Sequence, residues 1–307
     1  MRVAVIGAGT MGTGVAQNLA TAHHDVLLID TDPTILDHAR QQIHHNLRLH
    51  HLLTPTTPHT TTIPTGPGTG IDTPPPTPHP TPPPDHDPDR ALTRITCTTD
   101  HTQLTTTEFV IENTTEQWET KQHLYPLLDT HCPDHCIIAA NTSTHPITKI
   151  AALTHRPTHI IGIHFMNPAP LKPLVELIPG HHTTPDTITR TQQLLTTLGK
   201  HTLTIKDTPG FISNRILMTT INEAINLVHE NIATPEQIDT LFTTTLGHTM
   251  GPLHTADLIG LDTILHSLQN LHHHTNNPKY TPSPLLHHMV NAHLHGRKTH
   301  QGFYPYP

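Results

Sequence analysis

Two domains of unlike architecture are predicted for this 307-residue chain: an α/β domain over residues 1–206 and a smaller all-helical domain over 207–307. Three observations carry that expectation. Residues 1–30 read strand, glycine-rich turn, small-residue helix, strand. Short Val/Ile runs then alternate with helix-period segments as far as about residue 205, the pattern of a mostly parallel sheet covered on both faces. Beyond Asp207-Thr208-Pro209-Gly210 the strand patterns cease and amphipathic helices remain.

The opening unit is the most specific. Val3-Ala4-Val5-Ile6 enters Gly7-Ala8-Gly9-Thr10-Met11-Gly12. In such a turn Gly7 permits the tight bend and Gly9 lets the backbone approach a pyrophosphate. Gly12 lets the helix pack close to the strand, and the helix N-terminus faces the anion. A second apolar run ends in Asp30, 23 residues after Gly7, where a carboxylate accepts hydrogen bonds from ribose hydroxyls. Thr31, Asp32 and Pro33 follow, with no Arg to receive a 2′-phosphate, so NAD is expected rather than NADP. The first domain therefore reads as a Rossmann-type dinucleotide-binding domain, with Gly7, Gly9, Thr10, Met11, Gly12 and Asp30 against the cofactor.

Composition narrows the partners. Lys plus Arg total 16 against 24 Asp plus Glu, a net charge of −8, which argues against nucleic acid and anionic membranes. Three cysteines are too few and too irregular for a disulfide framework. With no leader pattern before the first strand and no run long enough to span a bilayer, a cytoplasmic location is expected. The 33 histidines are scattered with Thr and Pro and read as compositional drift. His131-Cys132-x-x-His135-Cys136 has the spacing nearest to that of a zinc site but reads as a loop before a strand, so no metal is expected.

In order, a helix is expected over 33–53, with Ile35, Ala39, Ile43 and Leu47 on one face. Residues 54–88 hold 13 of the 31 prolines and almost no large apolar side chain, which predicts an extended, largely disordered insertion. A short helix over 89–95 leads to a strand. Further strands are expected at 109–112, 137–140, 160–165, 174–178 and 202–205, with helices at 116–128, 147–152 and 185–198 between them. The second domain is expected to hold helices at 211–230, 235–246, 255–271 and 282–293.

Ligands of such sheets bind at the carboxyl ends of strands, and two clusters lie there. One is Asn141-Thr142-Ser143; the other is His164-Phe165-Met166-Asn167-Pro168, with Glu176 twelve residues after His164 on the next strand. A His with a carboxylate on a neighbouring strand suits general acid/base work, because the acid sets the tautomer and favours imidazolium while the other ring nitrogen faces substrate. Ser143 equally suits a cap for the helix near Pro146.

The stretch IGIHFMNPAPLKPLVELI resembles the His-Phe-Phe-Asn-Pro signature of the 3-hydroxyacyl-CoA dehydrogenases, and KDTPGFISNRI resembles their domain junction. VIGAGTMG, IENTTEQWETK, AANTST, GHTMGPLHTADLIGLD and GRKTHQGFYPY extend the resemblance over the chain apart from about 54–87. It implies NAD-dependent interconversion of 3-hydroxyacyl and 3-oxoacyl thioesters, with His164 as acid/base and Glu176 as its orienting partner. By the same resemblance Ser143 touches the substrate oxygen and Asn214 stands near the reacting centre. Glu116 and Lys121 match cofactor-contact positions, and Asn141 joins that set. The resemblance also implies a homodimer through the helical domain, for which the apolar faces of 211–228 and 259–271 are suited.

One departure concerns the acyl carrier. The Pro/Thr insertion occupies the turn of a helical hairpin that helps the family hold coenzyme A, and basic residues there are sparse: Arg40, Arg48, Arg90 and Arg94. An acyl-CoA thioester is the first expectation, and an acyl group on a carrier protein, as in polyketide precursor supply, is the alternative. From another class, the alternative is a crystallin-like or regulatory NAD-binding protein without turnover.

Overall fold

The computed structural model describes residues 1–53, 68, 70–72, 84, 85 and 87–307, and the chain divides into two compact units, Met1–Asp207 and Thr208–Pro307. The first unit is built on β1 (Arg2–Ile6), α1 (Thr10–Thr21), β2 (Asp25–Ile29), α2 (Pro33–Leu53), α3 (Pro88–Thr93), β3 (Ile95–Thr98), β4 (Phe109–Glu112), α4 (Trp118–His131), β5 (Ile137–Ala140), α5 (Ile147–Ala151), β6 (Ile160–Phe165), β7 (Leu174–Pro179), α6 (Pro185–Thr197) and β8 (His201–Thr204). These strands form one sheet in the order β3-β2-β1-β4-β5-β6-β7-β8, parallel throughout except between β6 and β7. The expected α/β architecture is what the chain adopts.

Alternation along each strand divides the apolar residues between two faces. Val3, Val5, Phe109, Ile111, Ile137, Ala139, Ile161 and Ile163 share a buried core with Val15, Ala16 and Leu19 of α1, Leu36, Ala39, Ile43 and Leu47 of α2, and Leu194 and Leu195 of α6. Leu36, not the expected Ile35, carries the first turn of the buried face of α2; Ile35 is 40% exposed. Asp87 caps α3, accepting from the backbone N–H groups of Asp89 and Arg90.

The expectation of a disordered insertion over 54–88 falls for the most part outside the described residues. At Asp72 the segment meets the sheet, and at Asp85 it meets α1, its N–H donating to the Thr21 carbonyl. Asp72 forms an antiparallel bridge with Thr202 on the outer side of β8, its N–H donating to the Thr202 carbonyl at 2.9 Å. Its Oδ2 accepts from the Thr204 N–H at 3.0 Å and the Thr204 hydroxyl at 2.5 Å.

The second unit contains α7 (Ser213–His229), α8 (Pro235–Thr244), α9 (Pro252–Ile259), α10 (Leu261–Thr275) and α11 (Pro284–Asn291) around Met218, Ile221, Ile225, Leu253, Leu261, Ile264, Leu268, Leu271, Tyr280 and Leu286. The helix expected over 255–271 is two helices, because Gly260 adopts φ +103 and ends the first. Two buried carboxylates tie this unit together. Asp239 accepts from the Leu253 and His254 N–H groups, and Asp257 from those of Phe303 and Tyr304 and from the Tyr306 hydroxyl. Among the described residues no helix is long and apolar enough to cross a membrane.

Candidate active site

The turn between β1 and α1 has the geometry that its glycines anticipate. Gly7 adopts φ +90, and a Cβ there would lie 2.8 Å from the Asn113 carbonyl oxygen. A Cβ on Gly12 would stand 1.8 Å from the Gly7 oxygen, so only glycine lets α1 start this close to β1. At Gly9 the surroundings are open: among the described residues, its chain neighbours and its own helix backbone aside, no atom lies within 4 Å of the Cβ position, and Gly9 is the N-cap of α1 and makes no side-chain cap bond. A free helix N-terminus beside a gap that a methyl group would fill is the cradle a pyrophosphate requires. Thr10 and Met11 follow as the first residues of α1. The Asp30 carboxylate closes the other wall, accepting from the Ala8 N–H at 2.7 Å and the Asp32 N–H at 3.2 Å. These residues fit a dinucleotide.

Next to this turn the carboxyl ends of β4, β5 and β6 are cross-linked. Asn141 donates from Nδ2 to Asn113 Oδ1 at 2.6 Å and accepts at Oδ1 from the Phe165 N–H at 3.2 Å, so its amide joins three strand ends. Glu116 organises the loop after β5. Its carboxylate accepts from the Ser143 N–H at 2.6 Å and the Thr142 hydroxyl at 2.7 Å, and its carbonyl oxygen lies 2.8 Å from His145 Nε2. Lys121 differs from expectation. It is wholly buried, its ammonium 2.7 and 2.8 Å from the two oxygens of Glu112 and 3.2 Å from the Thr114 hydroxyl, so its donors are spent inside the protein. Glu112 is further held by the Thr114 N–H and hydroxyl and by Tyr125, whose own hydroxyl is pushed well above its ordinary pKa by burial and then by the Glu112 charge. A buried charge pair with so many donors is compensated and fixes the start of α4.

The second cluster forms at the antiparallel step. Because β6 and β7 run in opposite directions with His164 paired to Glu176, the two side chains stand on one face of the sheet as direct cross-strand neighbours. His164 Nδ1 lies 2.7 Å from Glu176 Oε2, with both residues buried, at 7% and 3% exposure. An ionised carboxylate only accepts, so Nδ1 carries the proton and Nε2 is left as the acceptor. Ser143 Oγ lies 3.1 Å from that Nε2. Ser143 does not cap α5: the cap is Asp207, whose carboxylate accepts from the Ile147 and Thr148 N–H groups at 2.8 Å each. The first unit thus brings together Ser143, His164 and Glu176. Asn214 belongs to the second unit, in the first turn of α7.

At the α2–α3 hairpin, Asp37, Arg40, Gln41, His44 and Leu92 line a cleft of about 330 Å³. Arg40 donates to the Ile95 carbonyl at 3.2 Å, Arg94 lies 3.3 Å from His23 Nδ1, and Arg48 is exposed. Sequence reasoning missed Glu112, Asn113 and Asp207. Glu112 and Asn113 end a strand beside the glycine turn, a position that could have drawn notice, whereas nothing local marks Asp207 as the cap of a helix sixty residues upstream.

A dinucleotide cradle at the head of a parallel sheet, with a buried His–carboxylate pair and a hydroxyl beside the other imidazole nitrogen, suits a nicotinamide-dependent dehydrogenase. Residues 2–62 and 79–208 match the 3-hydroxyacyl-CoA dehydrogenase NAD binding domain, and residues 210–306 match the C-terminal domain of the same family. The chain belongs to the 3-hydroxyacyl-CoA dehydrogenase family. It is 39% identical over 306 residues to a probable 3-hydroxybutyryl-CoA dehydrogenase of Deinococcus radiodurans, covering 100% of both chains. Among solved structures it is similar to Mycobacterium tuberculosis FadB2 (TM-score 0.88, 33% identity, 100% of this chain and 99% of that one). It is likewise similar to (S)-3-hydroxybutyryl-CoA dehydrogenase PaaH1 of Ralstonia eutropha (TM-score 0.85, 36% identity, 100% and 99%). NAD is the cofactor of this family's first domain, as expected.

Proposed function

We propose that this protein interconverts 3-hydroxyacyl and 3-oxoacyl thioesters of coenzyme A, with His164 as the acid/base and Glu176 as the residue that orients it. The observation that carries the proposal is the cross-strand pair, Nδ1 to Oε2 at 2.7 Å, which leaves Nε2 facing the Ser143 hydroxyl. NAD, when bound, supplies the acceptor or donor of hydride. Gly9, Thr10 and Met11 would hold its phosphates and Asp30 its ribose, while Glu116 and Asn141 keep the loop and strand ends beside it in shape. During oxidation His164 Nε2 takes the proton of the 3-hydroxyl group, and Glu176 stabilises the imidazolium that results. In reduction the imidazolium returns that proton to the oxygen. Ser143 donates a hydrogen bond where charge develops on that oxygen, and its own position is held by Glu116 through its backbone N–H. Asn214 keeps the role that the resemblance implies, near the reacting centre.

Coenzyme A as the acyl carrier is supported by the names of the relatives. A homodimer is supported by Ile216, Ile232, Leu241, Leu246 and Leu258 of the helical unit, each more than half exposed; light scattering that gives a monomer at micromolar concentration removes it. The functional test is NADH oxidation with acetoacetyl-CoA beside a carrier-bound 3-oxoacyl thioester. His164→Ala should lose about 10²–10⁴-fold in turnover with NADH binding near normal, and Glu176→Gln should lose less. The double variant should be scarcely worse than His164→Ala, because a partner that acts through His164 has nothing left to orient. Unchanged turnover in His164→Ala refutes the mechanism. NADH binding without turnover of either substrate in the wild type would mean a protein that has lost catalysis, and turnover of the carrier-bound substrate alone would reassign the thioester.

A further inference from the structure

Lys200, between α6 and β8, is 5% exposed, yet no carboxylate pairs with it among the described residues. Its ammonium is spent on main-chain carbonyls of the β6–β7 connection: Ala169 at 2.8 Å, Lys172 at 3.0 Å and Pro170 at 3.1 Å. A protonated amine has three donors, and here each meets one carbonyl. The connection so held runs from the end of the His164 strand to the start of the Glu176 strand. On its other side it presses on the cofactor helix: a Cβ on Gly14 of α1 would lie 3.1 Å from Pro170 Cδ and 3.4 Å from Ala169 Cβ. The next residue, His201, donates its N–H to the Pro173 carbonyl at 2.8 Å, which ties β8 to the first residue before β7.

We infer that Lys200 is a positioning residue for the dehydrogenase reaction: by pinning three carbonyls of the β6–β7 connection it holds His164 opposite Glu176 and sets both against the helix that cradles the cofactor. The inference rests on the acid/base reading of His164. A neutral side chain at 200 would take the donor from the buried Ala169 carbonyl and from the part-buried carbonyls of Pro170 and Lys172, so the connection would move to find other partners. Any such movement is transmitted to Phe165 and Leu174 and from them to the dyad, where a displacement on the order of 1 Å costs about 10²-fold in rate. Burial draws the Lys200 ammonium down to about 8, but three carbonyl dipoles favour its charged form, so at neutral pH it keeps all three donors.

The test compares Lys200→Met, Lys200→Arg and wild type in NADH-dependent reduction of acetoacetyl-CoA, with NADH binding and melting temperature measured alongside. Lys200→Met should lose about 10- to 100-fold in kcat, with the NADH Kd within about threefold of wild type. Lys200→Arg, which restores a cationic donor, should recover most of the loss. In the His164→Ala background Lys200→Met should change residual turnover less than about twofold, since a residue that works through the dyad has no further effect once the dyad is gone. If Lys200→Met does not fold, Lys200→Gln, which keeps two donors, takes its place with an expected loss of about 3- to 10-fold. A kcat within about twofold of wild type in a folded variant overturns the inference. So does an equal proportional loss in the His164→Ala background, which marks a merely structural lysine. Failure of His164→Ala to affect turnover would instead sink the acid/base reading, whatever Lys200 does.

Discussion

Alanine at Gly12 and alanine at Gly9 add the same methyl group three residues apart and should fail in opposite ways. At Gly12 the new Cβ would stand 1.8 Å from the Gly7 carbonyl oxygen, where a nonbonded carbon–oxygen contact needs roughly 3.3 Å. The start of α1 must therefore retreat by about 1.5 Å from a strand whose last four residues, Val3 to Ile6, are buried. Overpacking of that kind costs about 1–3 kcal/mol, which for a unit of this size lowers the melting temperature by about 2–12 °C. At Gly9 the Cβ meets no atom of the described residues within 4 Å beyond its chain neighbours and its own helix, and the backbone, at φ −67 and ψ −171, suits any residue. Gly9→Ala should therefore melt within about 3 °C of wild type. Its methyl group instead occupies the gap at the helix end, and NADH affinity should fall about 10- to 100-fold, or about 1.4–2.7 kcal/mol. Differential scanning calorimetry and titration calorimetry with NADH, run on both variants, separate the two effects. If Gly9→Ala binds NADH within twofold of wild type while remaining folded, the phosphates do not lie where the cradle places them and the reading of the turn is refuted.

Two further outcomes follow from single side chains. Asp30→Ala should weaken NADH binding and narrow the gap to NADPH; a wild-type preference for NADPH of about tenfold, or ~1.4 kcal/mol, would contradict the NAD assignment. His24 is buried against the Thr197 hydroxyl at 2.7 Å, and burial draws it down from 6.5 to about 4. The folded protein therefore keeps this ring neutral while the unfolded chain protonates, so its contribution is intact above pH 6.5 and is lost as pH falls toward 4. At ~1.36 kcal/mol per pH unit the loss is bounded at about 3 kcal/mol. Denaturant midpoints measured across that window should fall less steeply for His24→Gln than for wild type, and parallel curves would show that His24 titrates normally.

What the sequence discloses, and what it withholds, follows from the range of the interactions involved. The glycine turn is legible because its constraints are local: Gly7, Gly9 and Gly12 are needed where a backbone bends or approaches within a few residues. The His164–Glu176 relation is legible only as proximity. Two strands separated by a short connection can pair in either sense, and the apolar residues of 174–179, buried on both faces, give no direction. Antiparallel pairing with His164 opposite Glu176 is a property of the sheet. Lys121 shows the opposite limit, since a lysine near the start of a helix looks like a surface cation, and only the neighbouring Glu112 and Tyr125 make its burial tolerable. Lys200 and Asp207 act on residues about 30 and 60 positions away, so neither has a local signature. Within the second unit, Gly260 was visible as a glycine inside a helical pattern, yet periodicity continued through it and concealed the break.

The bridge at Asp72 has a consequence for the protein in concentrated solution. An outermost strand offers its free carbonyl and amide groups to any extended peptide that arrives, including the same strand of another molecule. On β8 the outward carbonyl of Thr202 and the outward amide of Thr204 are both taken by Asp72, one by its backbone and one by its side chain. Asp72 therefore withdraws those two groups from a visiting strand. A chain shortened across residues 70–72 would bare both groups, and its colloidal behaviour, more than its catalysis, would register the loss.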